Sequence, residues 1–175
     1  MNLILIAGKA GSGKDKVAGL FKEMLPLTIV TSFSKYIKMY SYEFGKWDLK
    51  EEHKPREFLQ KMGDFLRNKN ENFLVDRVKT DLEVYKAFGI KNVIISDVRL
   101  VHEITSFDEL DYNVIKIRVN SNLNKRNLTK TEMQHVTEVN LDNYDKYDYV
   151  INNKYDENIY NDVLNIVKGI EEKWI

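Results

Sequence analysis

Residues 1–25 read MNLILIAGKAGSGKDKVAGLFKEML, and this stretch decides the fold. Its first seven residues form a continuous apolar run that stops at Gly8, which is how a fully buried strand of a parallel sheet reads. Past the glycines, Val17, Leu20, Phe21, Met24 and Leu25 recur at helical spacing until Pro26 closes the pattern. Between strand and helix lies Gly8-Lys9-Ala10-Gly11-Ser12-Gly13-Lys14-Asp15, which fits G-x-x-x-x-G-K but carries Asp15 where Ser or Thr is usual. Three of the chain's eight glycines fall within six residues here. Backbone N–H groups and the following helix N-terminus can then surround a polyphosphate that side chains would exclude, with Lys14 reaching its β- and γ-phosphates. A plain strand-to-helix turn also uses glycine for positive φ; the flanking strand and helix favour the phosphate loop. Asp15 lacks the hydroxyl that normally contacts Mg²⁺, yet a carboxylate is a hard-oxygen partner for that ion. Asp15 equally suits the positive end of the helix dipole as an ordinary first-turn acid.

Outward from this unit, strands and helices alternate. Leu27 to Phe33 is β-branched and predicts a second strand, followed by a helix from about Ser34 to Phe44 and a polar loop through Lys54. Pro55 suits the first turn of a helix running to about Arg67, and a further helix spans about Glu71 to Phe88, with Leu74, Val78, Leu82 and Tyr85 on one face and Gly89 ending it. Asn92 to Ser96 (NVIIS) reads as a third buried strand, Val101 to Leu110 as a helix, and Tyr112 to Val119 as a fourth strand. Asn120 to His135 reads as an exposed loop, Tyr147 to Ile151 as a fifth strand, and the closing helix carries Ile159, Val163, Ile166 and Ile170 on one stripe. This order predicts an α/β domain with a mostly parallel sheet covered on both faces.

Composition narrows the function. With 175 residues the chain makes one domain, residues 1–175, large enough to bury a real core. Lys plus Arg and Asp plus Glu both number 27, so there is no overall basic field to attract nucleic acid or anionic lipid. Cysteine is absent, which excludes thiol nucleophiles and iron–sulfur clusters and fits a reducing compartment. Leu3 to Ala7 is too short for a signal peptide or a membrane span, so a cytoplasmic protein with small-molecule partners is expected, as monomer or homodimer.

Two further features carry chemistry. Asp97 follows NVIIS and should emerge at the carboxyl edge of the sheet, beside the crevice where open α/β folds bind ligands; a metal role follows, with a helix-capping acid as the alternative. Arg99, two residues on, could meet a phosphate of a second substrate or the phosphoryl group in transfer. On the helix after Pro55, at about 100° per residue, Arg56, Gln60, Gly63 and Arg67 fall within roughly a 60° arc. Phe58, Leu59, Met62, Phe65 and Leu66 cover the opposite side as core. The first face is either a solvated surface or a lining for a phosphorylated substrate. His53 and His102 read as surface or cap residues.

The segments GKAGSGKD, SFSKYIK, PREFLQKMGDFLR, VIISDVRLVHEI and HVTEVNLDNYDKYDYVINN run in this order along nearly the whole chain. Through them it resembles the deoxynucleoside monophosphate kinase family of bacteriophages and bacteria. The resemblance implies the three-layer P-loop kinase fold, strand order 2-3-1-4-5, and transfer of the ATP γ-phosphoryl group to a nucleoside monophosphate with Mg²⁺. It implies that Gly8, Gly11, Ser12, Gly13 and Lys14 hold ATP phosphates and that Asp15 and Asp97 serve the metal. Lys38, Arg56, Gln60 and Arg99 would face the acceptor, the first three within acceptor-binding helices spanning about residues 34–88, with Arg67 on the same helix face as Arg56. Arg118, at the end of the fourth strand, and Arg126 are candidates for a lid over about residues 120–138, with Arg99 and Arg126 helping Lys14 in catalysis. His135 and Glu138 match the family's H-x-[ST]-E segment near the site. Animal-type phosphomevalonate kinases are similar in the same segments, so phosphomevalonate or dephospho-coenzyme A stands as an alternative acceptor. A nucleotide-binding protein without catalysis is the remaining alternative.

Overall fold

The computed structural model describes residues 1–121, 134–154 and 158–172. Along the chain these form β1 (Asn2–Ala7), α1 (Lys14–Met24), β2 (Thr28–Thr31), α2 (Ser34–Glu43), α3 (Arg56–Lys69), α4 (Phe73–Ala87), β3 (Asn92–Val98), α5 (Val101–Thr105), β4 (Asn113–Asn120), α6 (Val136–Val139), β5 (Tyr149–Asn152) and α7 (Asn158–Glu172). The five strands make one sheet in the order β2-β3-β1-β4-β5, and every neighbouring pair is parallel.

The core lies on both faces of that sheet because β1, at its centre, is apolar at every position from Leu3 to Ala7. Leu3, Leu5 and Ala7 turn to one side, where Phe33, Ile37, Leu74, Val78, Leu82 and Phe107 pack on them from α2, α4 and the loops beside them. Ile4 and Ile6 turn to the other, against Val17, Phe21, Ile159, Val163 and Ile166 from α1 and α7. The period-2 alternation of a strand thus feeds two helical layers, each stripe recurring at helical spacing. Fully burying one such aliphatic side chain contributes about 1.5–3 kcal/mol, so these two layers fix the sheet that carries the site.

Several boundaries differ from the sequence expectation, and each has a local cause. Helix α5 ends at Thr105 rather than near Leu110 because Phe107 must turn into the core, where its ring lies 6.3 Å from that of Phe33. Strand β5 begins at Tyr149, two residues late, since Tyr147 is held edge-on against Tyr144 at 4.9 Å instead of pairing with β4. Strand β3 extends to Val98, so Asp97 lies inside the strand and not after it. There the pairing slips: Leu5 faces Ile95 but Ala7 faces Val98, leaving an extra residue on β3. A bulge of this kind re-aims a side chain. Asp97 accordingly escapes the burial of the residues on either side of it.

On α3, Phe65 was expected in the core but is 56% exposed, with the Lys69 ammonium 5.9 Å from its ring. Leu59, Met62 and Leu66 do pack on the core, and Gly63 is fully covered. The helix is rolled so that its contact line runs between Met62 and Gly63, which leaves Phe65 at the outer margin of the apolar stripe and turns the polar arc inward.

Candidate functional site

The loop after β1 is held open by backbone. Gly11 and Gly13 adopt φ of 78° and 95°, which a side-chain-bearing residue rarely takes, and a Cβ on Gly13 would run into the Asn153 amide. Asn153 Nδ2 donates to the Ser12 carbonyl at 2.9 Å, so the end of β5 fixes the loop's outer turn. Inside the turn, Lys14 Nζ donates to the carbonyls of Gly8 at 2.6 Å and Lys9 at 2.8 Å. The lysine is buried, and burial first, then the Arg99 charge, pulls it down from 10.5 to about 7 against the opposing pull of Glu138, Asp15 and Asp97. Such an ammonium gains from any anion brought to the loop. Ser12 Oγ is buried with no partner among the described residues. Asp15 is exposed in the first turn of α1, at the mouth of the same cleft.

At the carboxyl edge of the sheet, both Asp97 oxygens are engaged: Oδ1 accepts from Phe33 N–H at 2.8 Å and Oδ2 from Ser34 N–H at 3.0 Å. Asp97 therefore fastens the start of α2 to β3 while keeping free lone pairs toward the cleft. Two residues on, Arg99 pairs with Glu138 and its Nη1 reaches the Thr137 carbonyl at 3.5 Å. The Arg99 backbone is pinned from below by Glu103, whose Oε2 accepts from the N–H groups of Arg99 at 2.8 Å and Leu100 at 3.1 Å. Burial pushes the Glu103 carboxyl up to about 7, despite those two donors and with Asp97 adding to the rise.

These groups surround a cleft of about 490 Å³. Its floor is Ala10, Gly11, Gly13, Lys14 and Asp15; its far wall is Lys38 from α2 with Arg56, Gln60, Gly63 and Arg67 from α3. Asp97 and Arg99 stand between them, and His135 and Glu138 close one side. The polar arc of α3 thus faces the cleft rather than bulk solvent. Behind it, Phe33, Ile37, Leu59 and Leu74 give the wall an apolar strip. Arg56 Nη2 is held by Glu51 at 3.1 Å and Arg67 Nη2 by Asp64 at 2.8 Å, which leaves each guanidinium N–H groups to spare.

The segment 135–138 touches both sides. His135 caps α6, its Nδ1 accepting from Thr137 N–H, and its Nε2 lies 3.0 Å from Asp64 Oδ2 on α3. Glu138 Oε2 accepts from Ala10 N–H at 2.9 Å in the glycine loop.

Not every expected site residue enters the cleft. Gly8, Lys9 and Ser12 do not line the cleft: the first two give it only their hold on Lys14, Ser12 is buried, and the exposed Lys9 side chain is paired with Asp142 at 2.9 Å. Arg118 lies near the carboxyl end of β4, an inner strand, tied to Asn120 at 3.2 Å and Tyr147 at 3.4 Å, with its guanidinium over the Tyr147 ring. It lines a small pocket with Gly8, Lys9 and Arg99 rather than the main cleft. Arg126 lies outside the described residues. His53 is an exposed partner of Asp48, and His102 faces Glu71 at 3.7 Å, in keeping with surface roles. Conversely, Asp64, Glu103 and Asn153 hold site residues in place and were not singled out by sequence. Only Glu103 left a signal, an acid at the third position of a short helix.

Among the described residues no group of three His, Cys, Asp or Glu forms a ready cation cage, and no helix is long and apolar enough to cross a membrane. Compared with protein-family profiles and with curated proteins, the chain gives no match, so its functional reading rests on the cleft and the motifs that build it.

Proposed function

We propose that this chain is a P-loop kinase that moves the γ-phosphoryl group of ATP to a small phosphorylated acceptor, a (deoxy)nucleoside monophosphate, giving ADP and a nucleoside diphosphate. The observation that carries the reading is the shared cleft: the glycine loop with Lys14 on one side and Lys38, Arg56, Gln60 and Arg67 on the other. A nucleotide switch has no use for the second wall. The apolar strip beside the Gln60 amide suits a flat ring with a hydrogen-bonding edge, and the arginines suit a phosphate.

Chemistry in such a site is positioning and charge neutralisation. Loop N–H groups and the α1 N-terminus hold the donor phosphates, while Lys14 leaves the Gly8 and Lys9 carbonyls for the β- and γ-oxygens. Arg99 exchanges Glu138 for the phosphoryl group in transfer, and Arg56 with Arg67 aligns the acceptor phosphate. Asp15 and Asp97 offer open carboxylate lone pairs on the cleft, a donor set that fits Mg²⁺, which takes one or two carboxylates, waters and substrate phosphate oxygens. When bound, that ion would neutralise β- and γ-phosphate charge.

A second reading has one observation in its favour. Lys54 joins Lys38, Arg56 and Arg67 on the acceptor wall, and four cations there would also suit an acceptor bearing several anionic groups, as phosphomevalonate does. Coupled ADP release over the nucleoside monophosphates, with phosphomevalonate and dephospho-coenzyme A alongside, tests both. ATP binding without ADP release for any acceptor would leave a non-catalytic nucleotide-binding protein.

A further inference from the structure

The segment His135-Val136-Thr137-Glu138 reaches the donor loop with one end and the acceptor helix with the other. Glu138 takes the Ala10 N–H at 2.9 Å and pairs with Arg99. Three residues earlier, His135 Nε2 meets Asp64 Oδ2 at 3.0 Å, and the other Asp64 oxygen holds Arg67 Nη2 at 2.8 Å. Between these ends lies the single turn α6, capped by His135 itself, whose Nδ1 lies 2.9 Å from Thr137 Oγ1. Asp64 does not line the cleft, whereas Arg67 does. Partial burial opposes ionisation of Asp64, but the hydrogen bonds from Arg67 and His135 outweigh it and keep its carboxyl below the usual range.

We propose that Asp64 and His135 are positioning residues that tie the direction of the Arg67 guanidinium to occupancy of the glycine loop. The inference rests on the kinase reading and deepens it by naming how the two substrate sites communicate. A donor phosphate arriving at the loop competes with Glu138 for the same donors, Ala10 N–H and Arg99. Displacing that carboxylate moves one end of this four-residue segment, and His135 at the other end carries the shift to Asp64 through its 3.0 Å contact. Arg67 follows, since its guanidinium is fastened to that carboxylate. Two ligands that bias the same two-position element are coupled, typically by about 5- to 150-fold, and the coupling is reciprocal.

The experiment is a thermodynamic cycle by titration calorimetry. The probes are the Mg²⁺ complex of the β,γ-imido analogue of ATP and whichever acceptor of the panel wild type phosphorylates fastest. Each is titrated alone and in the presence of the other. In wild type, each ligand should tighten the other by at least about fivefold. In Asp64→Asn and in His135→Ala that factor should fall toward one. His135→Gln, which keeps an N–H for Asp64, should restore most of the coupling lost in His135→Ala. A purely structural role would weaken both binary affinities and leave their coupling intact. Full coupling in both Asp64→Asn and His135→Ala overturns the proposal and spares the kinase reading. Failure of wild type to bind the ATP analogue overturns both.

Discussion

The glycine loop offers the cleft a backbone surface fixed inside eight consecutive residues, whereas the α3 wall offers the tips of long side chains whose direction is set by partners elsewhere. On the loop side the determinants are φ angles at Gly11 and Gly13 and N–H groups that need no rotamer. On the wall side, Arg56 depends on Glu51, Arg67 on Asp64, and Arg99 on Glu138 and Glu103. The contrast teaches where each kind of substitution should act. Damage to the loop should abolish transfer with any acceptor, and damage to the wall should be graded and specific to the acceptor.

The sharpest way to break this division is Lys14→Ala. The fold should survive, because in the ligand-free protein the buried ammonium is disfavoured by burial and by Arg99. Transfer should fall by about 100- to 1000-fold in kcat, the range for losing one preorganised charge-stabilising group. Near-wild-type kcat would remove the phosphate-loop assignment.

Next in size are the wall arginines. Arg56→Ala removes a planar donor and should cost about 1.5–3 kcal/mol in kcat/KM for the acceptor, the range for hydrogen bonds to charged groups, while ATP affinity barely changes; Arg99→Ala should cost at least as much and weaken ATP binding as well. Arg99→Ala should show the larger effect of the two, since it also strips Glu138 of its counter-charge beside the loop. Loss of ATP affinity with acceptor kinetics intact would return the α3 face to plain surface.

Asp97 and Asp15 separate two roles that one motif reading merges. Asp97→Asn should lower folding stability by about 1–3 kcal/mol in denaturant unfolding, because an amide can accept from only one of the Phe33 and Ser34 N–H groups and turns a donor toward the other. Asp15→Asn, at an exposed position, should leave stability within about 0.5 kcal/mol. Both should raise the Mg²⁺ concentration needed for half-maximal activity. Unchanged magnesium dependence in both variants would dissolve the two-acid site.

The fold was readable from the sequence wherever a pattern is local. The apolar run of β1, the glycines and the stripe of α7 each announce themselves within one element, and the alternation of strands and helices is enough for a covered parallel sheet. The strand order came only from the resemblance and matches the sheet. What stayed hidden depends on contacts across the chain. The slip that re-aims Asp97 arises between β1 and β3, and nothing within NVIISDV marks it. Glu138 and Ala10 are 128 residues apart, so no spacing rule joins them. Phe65 fits the apolar stripe of α3 by periodicity, and only the roll of the helix against the core leaves it outside. The residues that hold the arginines, Asp64 and Glu103, look like ordinary helix acids until the fold brings their partners near.

Loop and wall should also differ, more modestly, in how they respond to pH. Lys14 in the free protein sits at about 7, well below an ordinary lysine, and donor phosphates favour its charged form. Binding at higher pH must therefore bring a proton with it, so affinity falls as pH rises through and above 7 and is fully present below. By linkage, affinity for Mg²⁺-ATP, titrated without acceptor so that no transfer occurs, should be about fivefold weaker at pH 8 than at pH 7. Calorimetry in buffers of different ionisation heat should show close to one proton taken up at pH 8. The acceptor wall is built by α2 and α3 and does not include Lys14, so acceptor affinity should carry no such slope from the lysine. Glu103, also near 7, is buried beneath Arg99 and shared by both sides, and must be separated from Lys14. Lys14→Arg does this: it keeps a charge that cannot be lost while Glu103 still titrates. Its donor affinity should be flat between pH 7 and 8 if the lysine is the source, and a retained slope would move the titration to Glu103 and away from the loop.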